Sequence, residues 1–308
     1  MPSTAKAQSM TPNLAIPWFT CLRIFSVCVV VHLRTLLDAN TYAYIFFAIL
    51  FGHYLLAFVY AQNRVRHVLK TPRTYLPSVL FISACVGMQV LDFDPLVVVY
   101  FGIHHALSEN YMTLHKSLHK RQLIINKVAL NFALYTLLMR HDLLIAEEFV
   151  QHIIFVTLLL SLMHLKCLAE VKKENPQSNL QDCFLFEIAG IVCTLIFFNT
   201  YVAFEDIVLY HLILWSIYPL FTPKLQQHTA ARQRYMGTTI VVTLFFLAFT
   251  PIHDYFSFFT MQDWIDQSYY WAYWHITTSL MLSRMNPIWL RKLFEPGALN
   301  GTPTAAPT

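Results

Sequence analysis

Apolar residues in this chain gather in long, nearly unbroken runs separated by short polar punctuation. Ten such runs are legible, at roughly 17–37, 41–60, 75–92, 96–114, 123–140, 144–166, 183–203, 207–222, 237–256 and 266–283. About 20 apolar residues are needed for a helix to cross the hydrocarbon core of a bilayer. The runs lack the period-2 alternation of a membrane barrel, and a helix is the other structure that satisfies its own backbone in lipid. The pattern therefore predicts an all-α, polytopic transmembrane helix bundle of about ten spans.

The punctuation alternates in charge. Basic residues follow the even runs: Arg64, Arg66, Lys70 and Arg73; then Lys116, Lys120, Arg121 and Lys127; then Lys166, Lys172 and Lys173; then Lys224, Arg232 and Arg234; and finally Arg284, Arg291 and Lys292. Acidic residues sit on the other side, at Asp92, Asp94, Glu205, Asp206, Asp263 and Asp266. The positive-inside rule then puts both termini in the cytoplasm. Arg34 and Arg140 break the alternation, and Arg23, inside the first run, is expected to snorkel to the interface. The organisation predicted is a short cytoplasmic segment (1–16), one transmembrane domain (17–294) and a disordered tail (295–308).

Composition agrees. Apolar types make up 56% of the 308 residues and charged types 12%, about half the charged share of a soluble domain. The net charge of +4 is carried by short loops, so it does not point to nucleic acid. Six cysteines without a CxxC pair read as small buried side chains.

The candidate chemistry lies in the even runs, each of which holds a histidine: His53, the pair His104 and His105, His152, His211 and His275. All even runs point the same way, and their imidazoles fall in a band roughly 6 to 18 Å below the outer boundary. Ionisable groups at such depth are costly and tend to mark function. Neutral imidazole is the commonest metal ligand, and it suits iron, copper and zinc alike. Glu109 lies one turn below His105 on the same face, where it could bind, orient His105, move a proton, or pair with a buried base. Glu148 stands one turn above His152, and this pair forms a second tier. Tyr210 and Trp215 flank His211, while Trp271 and Trp274 precede His275. These aromatics are either an interfacial belt or the wall of an apolar substrate cavity. An HxxxH pair, His115 and His119, lies too far down its helix to share the band and reads as a solvated basic surface.

Membrane desaturases and hydroxylases use repeated HxxHH boxes, which are absent from this sequence. With single intramembrane histidines on several helices, and with the stretch YFGIHHALSENYM, the chain resembles the bacterial carotene-cleaving dioxygenases of the Brp/Blh type. It departs from them where their first histidine motif is flanked by proline and glycine, since it reads FGHYLLAF there. The resemblance implies a multi-pass protein of a bacterial inner membrane with non-haem iron. The reading carried forward is a membrane metalloenzyme, an iron-dependent oxidoreductase for a lipophilic substrate such as an isoprenoid or acyl chain. His53, His104, His105, His211 and His275 would be its ligands and Glu109 its orienting or proton-moving group. Haem held between histidine pairs in an electron-transfer protein and a proton-coupled transporter are the alternatives.

Overall fold

The structure, a computed structural model, describes residues 18–91, 95–114, 121–141, 143–174, 180–197, 202–221, 228–255, 261–282, 286 and 288–294. The terminal segments, Asp92, Asp94, His115 and His119 lie outside the described residues. Eleven α-helices are present among the described residues, and no strand. They are α1 (Trp18–Leu36), α2 (Ala39–Lys70), α3 (Tyr75–Val90), α4 (Pro95–Leu114), α5 (Arg121–Leu138), α6 (Glu147–Glu174), α7 (Leu180–Phe197), α8 (Phe204–Ile217), α9 (Thr229–Tyr255), α10 (Met261–Leu282) and α11 (Ile288–Phe294).

The first ten coincide one for one with the ten apolar runs. Three of them, α2, α6 and α9, contain stretches long and apolar enough to cross a membrane. Several helices outrun their apolar core: α2 continues to Lys70, α6 to Glu174, and α9 starts at Thr229. Those extra turns are polar, so hydropathy alone does not reveal them.

Large apolar side chains cover the outside of the bundle. Leu76, Val79 and Leu80 on α3, Phe155, Leu159 and Leu162 on α6, and Ile240, Val241, Leu244 and Phe245 on α9 are all exposed. So much contiguous apolar surface is unusual on a soluble monomer and fits a lipid environment.

Local chemistry sets the helix ends. Asp38 caps α2, accepting from the backbone N–H groups of Asn40 and Thr41 at 3.1 and 3.0 Å and from the Thr41 hydroxyl at 2.7 Å. Asn286 closes α10 by donating to the carbonyls of Ser279 and Leu280 at 3.0 and 2.6 Å. Gly102 lets α4 approach α5: a Cβ there would come within 2.9 Å of the Phe132 ring.

Packing groups the helices into two neighbourhoods, joined through α4 and through the contact of α8 with α1. In one, α10 packs against α2, α3 and α4, α8 against α2, and α9 against α2. In the other, α5 packs against α4, α6 and α7, and α7 also touches α1.

Candidate functional site

The first neighbourhood gathers the histidines. The ring centroids of His53 and His275 are 4.7 Å apart, those of His275 and His104 5.3 Å, those of His104 and His211 5.1 Å, and those of His211 and His53 5.8 Å. Four imidazoles from α2, α4, α8 and α10 thus close a ring, each edge-on to the next. His104 and His211 are buried, and His53 and His275 are half-buried. The Nε2 atoms of His53 and His275 face each other at 3.2 Å. Nε2 of His104 and both ring nitrogens of His211 are buried with no hydrogen-bond partner. An unmet buried polar atom costs about 1–3 kcal/mol, so this ring holds unsatisfied lone pairs at some expense.

Two cavities adjoin the ring. One, of about 70 Å³, is lined by all four histidines and extends toward Glu205, Ser268 and Tyr269. It has room for roughly two waters. The second, of about 540 Å³, lies between α2, α9 and α10; its lining includes Tyr54, Phe58, Phe246, Trp271, Trp274 and His275. His275 belongs to both, and so does Tyr54, whose ring stacks on that of His275 at 5.0 Å.

A metal ion would fix the spacing of such rings narrowly. With nitrogen–metal distances of about 2.0–2.1 Å, four imidazoles placed tetrahedrally around one ion keep their centroids about 5 Å apart and their ligating nitrogens about 3.4 Å apart. The observed centroid spacings straddle the first value, and the His53–His275 contact lies near the second. Among the described residues, no three His, Cys, Asp or Glu side chains stand as a ready ligand set. The His53 and His275 nitrogens stand near that spacing, and the four side chains do not form a ligand set. The 70 Å³ cavity that the four histidines line is smaller than a haem macrocycle.

His105 stands behind this ring and is turned toward different partners. Its centroid is 5.1 Å from that of His211. Its own ring stacks on Tyr135, whose hydroxyl is hydrogen-bonded to His105 Nδ1. His105 Nε2 faces Glu109 Oε1 at 3.6 Å.

Glu109 opens the second neighbourhood, a buried ionic network. Its Oε2 pairs with Arg23 Nη2 at 2.7 Å and lies 3.5 Å from Lys127 Nζ, and its Oε1 accepts from the Tyr210 hydroxyl at 2.9 Å. Lys127 Nζ donates to both carboxylate oxygens of Glu187 at 2.6 Å. Arg23 Nη2 reaches Glu187 Oε1 at 3.3 Å, and His164 Nε2 lies 3.9 Å from Glu187 Oε2. Two cations balance two carboxylates, so the group carries no net charge when ionised.

Several expectations change. Arg23 does not snorkel but is 3% exposed and ion-paired. Lys127 is not a loop charge but a buried residue of α5. Glu109 has the ion pair that was one of its possible roles. The Tyr210 hydroxyl belongs to the ionic network, donating to Glu109 Oε1. Trp215 packs beside His211 and Tyr218, with ring centroids at 6.3 and 5.5 Å, while Trp271 and Trp274 do line the larger cavity. His152 and Glu148 are exposed, and His152 Nδ1 lies 3.1 Å from the carbonyl of Glu148 in its own helix. Arg140 pairs with Glu147 at 3.3 Å, and Arg34 lies over the Tyr42 ring at 4.9 Å.

The sequence reading passes over Tyr54, Tyr135, Glu187 and His164. A signal for the ionic network was there: Arg23, Lys127 and Glu187 stand five, six and seven residues into α1, α5 and α7, which by the alternation start from the same face. Matched depth exposed the histidines and would have exposed these charges.

In comparisons with known proteins, no family model, no curated protein and no solved structure matches this chain.

Proposed function

We propose that this chain is an integral membrane metalloenzyme: a histidine-ligated, non-haem iron oxidoreductase acting on a lipophilic substrate. In this reading it spans the bilayer ten times with both termini cytoplasmic, as in a bacterial inner membrane. The observation that carries the proposal is the ring of four imidazoles with unmet nitrogens, opening through His275 and Tyr54 onto an apolar cavity. His53 and His275 pair their Nε2 atoms with each other, but Nε2 of His104 and both ring nitrogens of His211 lack the partners a purely structural cluster would give them. Unmet acceptors converging beside a cavity are what a metal ion would satisfy.

His53, His104, His211 and His275 would hold the ion. Bound iron would supply Lewis-acid and redox chemistry toward oxygen. His105 would keep His211 in place: Tyr135 fixes its Nδ1 side, and the Glu109 carboxylate lies beside its Nε2 side. Glu109 is anchored by Arg23, Lys127 and Tyr210, so it acts through His105 rather than on the ion. The aromatic side chains of the larger cavity would seat the substrate and exclude water from the reacting bond.

Metal analysis and an absorption spectrum of the purified protein test this reading. About one iron per chain without a Soret band is expected. A Soret band would select haem, and the absence of any bound metal would overturn the proposal in favour of proton chemistry.

A further inference from the structure

Within that metalloenzyme reading, the smaller cavity has an internal order that assigns it a task of its own. We infer that it is the entry route and holding site for dioxygen, distinct from the larger cavity that seats the lipophilic substrate.

Its four helices supply side chains at one repeated spacing. Three and seven residues before each histidine of the ring, the same helix gives the cavity another lining residue. Residues so spaced share one face of a helix, and seven residues rise about 10 Å. The lining therefore forms three layers. Phe46, Val97, Phe204 and Ser268 make the first. Leu50, Phe101, Val208 and Ala272 make the second, and the imidazoles make the third. The layers hold in space because the helices run parallel. Well before the ring, the Tyr42 hydroxyl on α2 donates to Asp206 on α8. The Phe101 ring on α4 lies 5.4 Å from that of Phe204 on α8, and the Phe47 ring on α2 lies 6.2 Å from that of Trp264 on α10. The cavity thus leads from the N-terminal ends of the four helices, beside the exposed Glu205, down to the imidazoles.

Polarity selects what can travel along it. Among the lining residues, polar side chains stand only at the two ends: Glu205, Ser268 and Tyr269 at the first, Tyr54 and the imidazoles at the last. The Ser268 hydroxyl already donates to the carbonyl of Ile265 at 2.7 Å. The middle layer has no polar side chain, and its Leu50, Phe101 and Val208 are buried. An ion would shed its water there, at a cost that no side chain offsets. A hydrophobic constriction of this kind tends to stay dry. A small uncharged gas meets neither penalty. With about 70 Å³ against about 540 Å³, the cavity has room for a diatomic molecule and none for a lipid chain. Dioxygen is the gas that an iron oxidoreductase consumes. The two cavities meet at His275 and Tyr54, so gas and substrate would reach the ring by different routes.

Ala272 is the smallest member of the middle layer and the place to close it. Crystals of the whole protein pressurised with xenon should show the gas between Leu50, Phe101, Val208 and Ala272, with or without metal. Ala272→Phe should abolish that density. In iron(II)-loaded protein nitric oxide stands in for dioxygen, and its binding is followed by electron paramagnetic resonance. Ala272→Phe should slow that binding about tenfold, because the added ring must be forced aside at each entry. Ala272→Leu, a milder plug should the phenylalanine variant fail to fold, should slow it less. Leu55→Trp, which narrows the larger cavity, should leave the rate unchanged. Xenon absent from the middle layer of the wild-type protein would overturn the inference. So would nitric oxide binding that Leu55→Trp slows and the Ala272 variants do not. Xenon in that layer of a protein that binds no metal keeps the gas site and removes the metal reading, whereas bound iron without xenon there does the reverse.

Discussion

Helix α4 belongs to two buried polar regions that solve the same problem in opposite ways. Around Glu109 every carboxylate meets a cation: Arg23 and Lys127 against Glu109 and Glu187, at 2.6–3.5 Å. Around His104, one turn away, neutral imidazoles face each other and leave nitrogens unmet. The first region balances its charges, although His105 Nε2 and His164 Nδ1 have no hydrogen-bond partner. The second lacks a partner that the chain does not supply. A charge-balanced network suits architecture, and unpartnered imidazole nitrogens beside a cavity suit a ligand site. The two regions should therefore respond differently to substitution.

The largest effect should come from breaking the ionic network. Removing one partner of a buried ion pair costs about 3–5 kcal/mol. Lys127→Met should lower Tm in detergent accordingly, while metal per folded protein stays at the wild-type level. Loss of metal with unchanged stability would reverse the roles of the two regions.

His104→Ala and His211→Ala should do the opposite. A group that only supports a ligand typically matters 10- to 100-fold, so a ligand itself should cost more than about 100-fold in metal affinity. Neither side chain has a hydrogen bond to its free nitrogen, so the loss of stability in metal-free protein should stay near that of an ordinary buried substitution, about 1–3 kcal/mol. Equilibrium metal titration together with thermal unfolding measures both.

Glu109→Gln bridges the regions. It should reduce metal affinity about 10- to 100-fold through His105 and also lower Tm, because Arg23 and Lys127 lose a counter-charge. If only Tm changes, Glu109 belongs to the architecture alone.

The smallest effect tests the periphery. The Thr41 hydroxyl and backbone N–H hold the exposed Asp38 carboxyl below its ordinary value. A carboxylate with a depressed folded pKa contributes stability above its unfolded pKa and loses it as pH falls through the folded value. Asp38→Asn should flatten the acid side of the curve of Tm against pH slightly and leave metal binding untouched.

How much of this was legible in the sequence follows from the physics of each feature. The helices were legible because lipid demands long apolar runs. The histidine ring was legible because one residue type recurs at one depth on helices of one polarity. Its membership was not, since depth says nothing of the face a residue occupies. His152 has the right depth but an exposed face of α6, and His105 adjoins the ring while turning toward Tyr135 and Glu109. The ionic network was missed because Arg23 and Lys127 lie near helix ends, where a snorkelling or loop charge is the ordinary explanation. Only their common depth with Glu187 marks them as partners.

X-ray absorption at the edge of the bound metal tests the central claim most directly, because it counts ligands. Four nitrogen neighbours at about 2.0–2.2 Å, with the outer-shell scattering of imidazole carbons, are the result expected. An oxygen-rich shell, or fewer than three imidazoles around the ion, would contradict the assignment of His53, His104, His211 and His275 as its ligands.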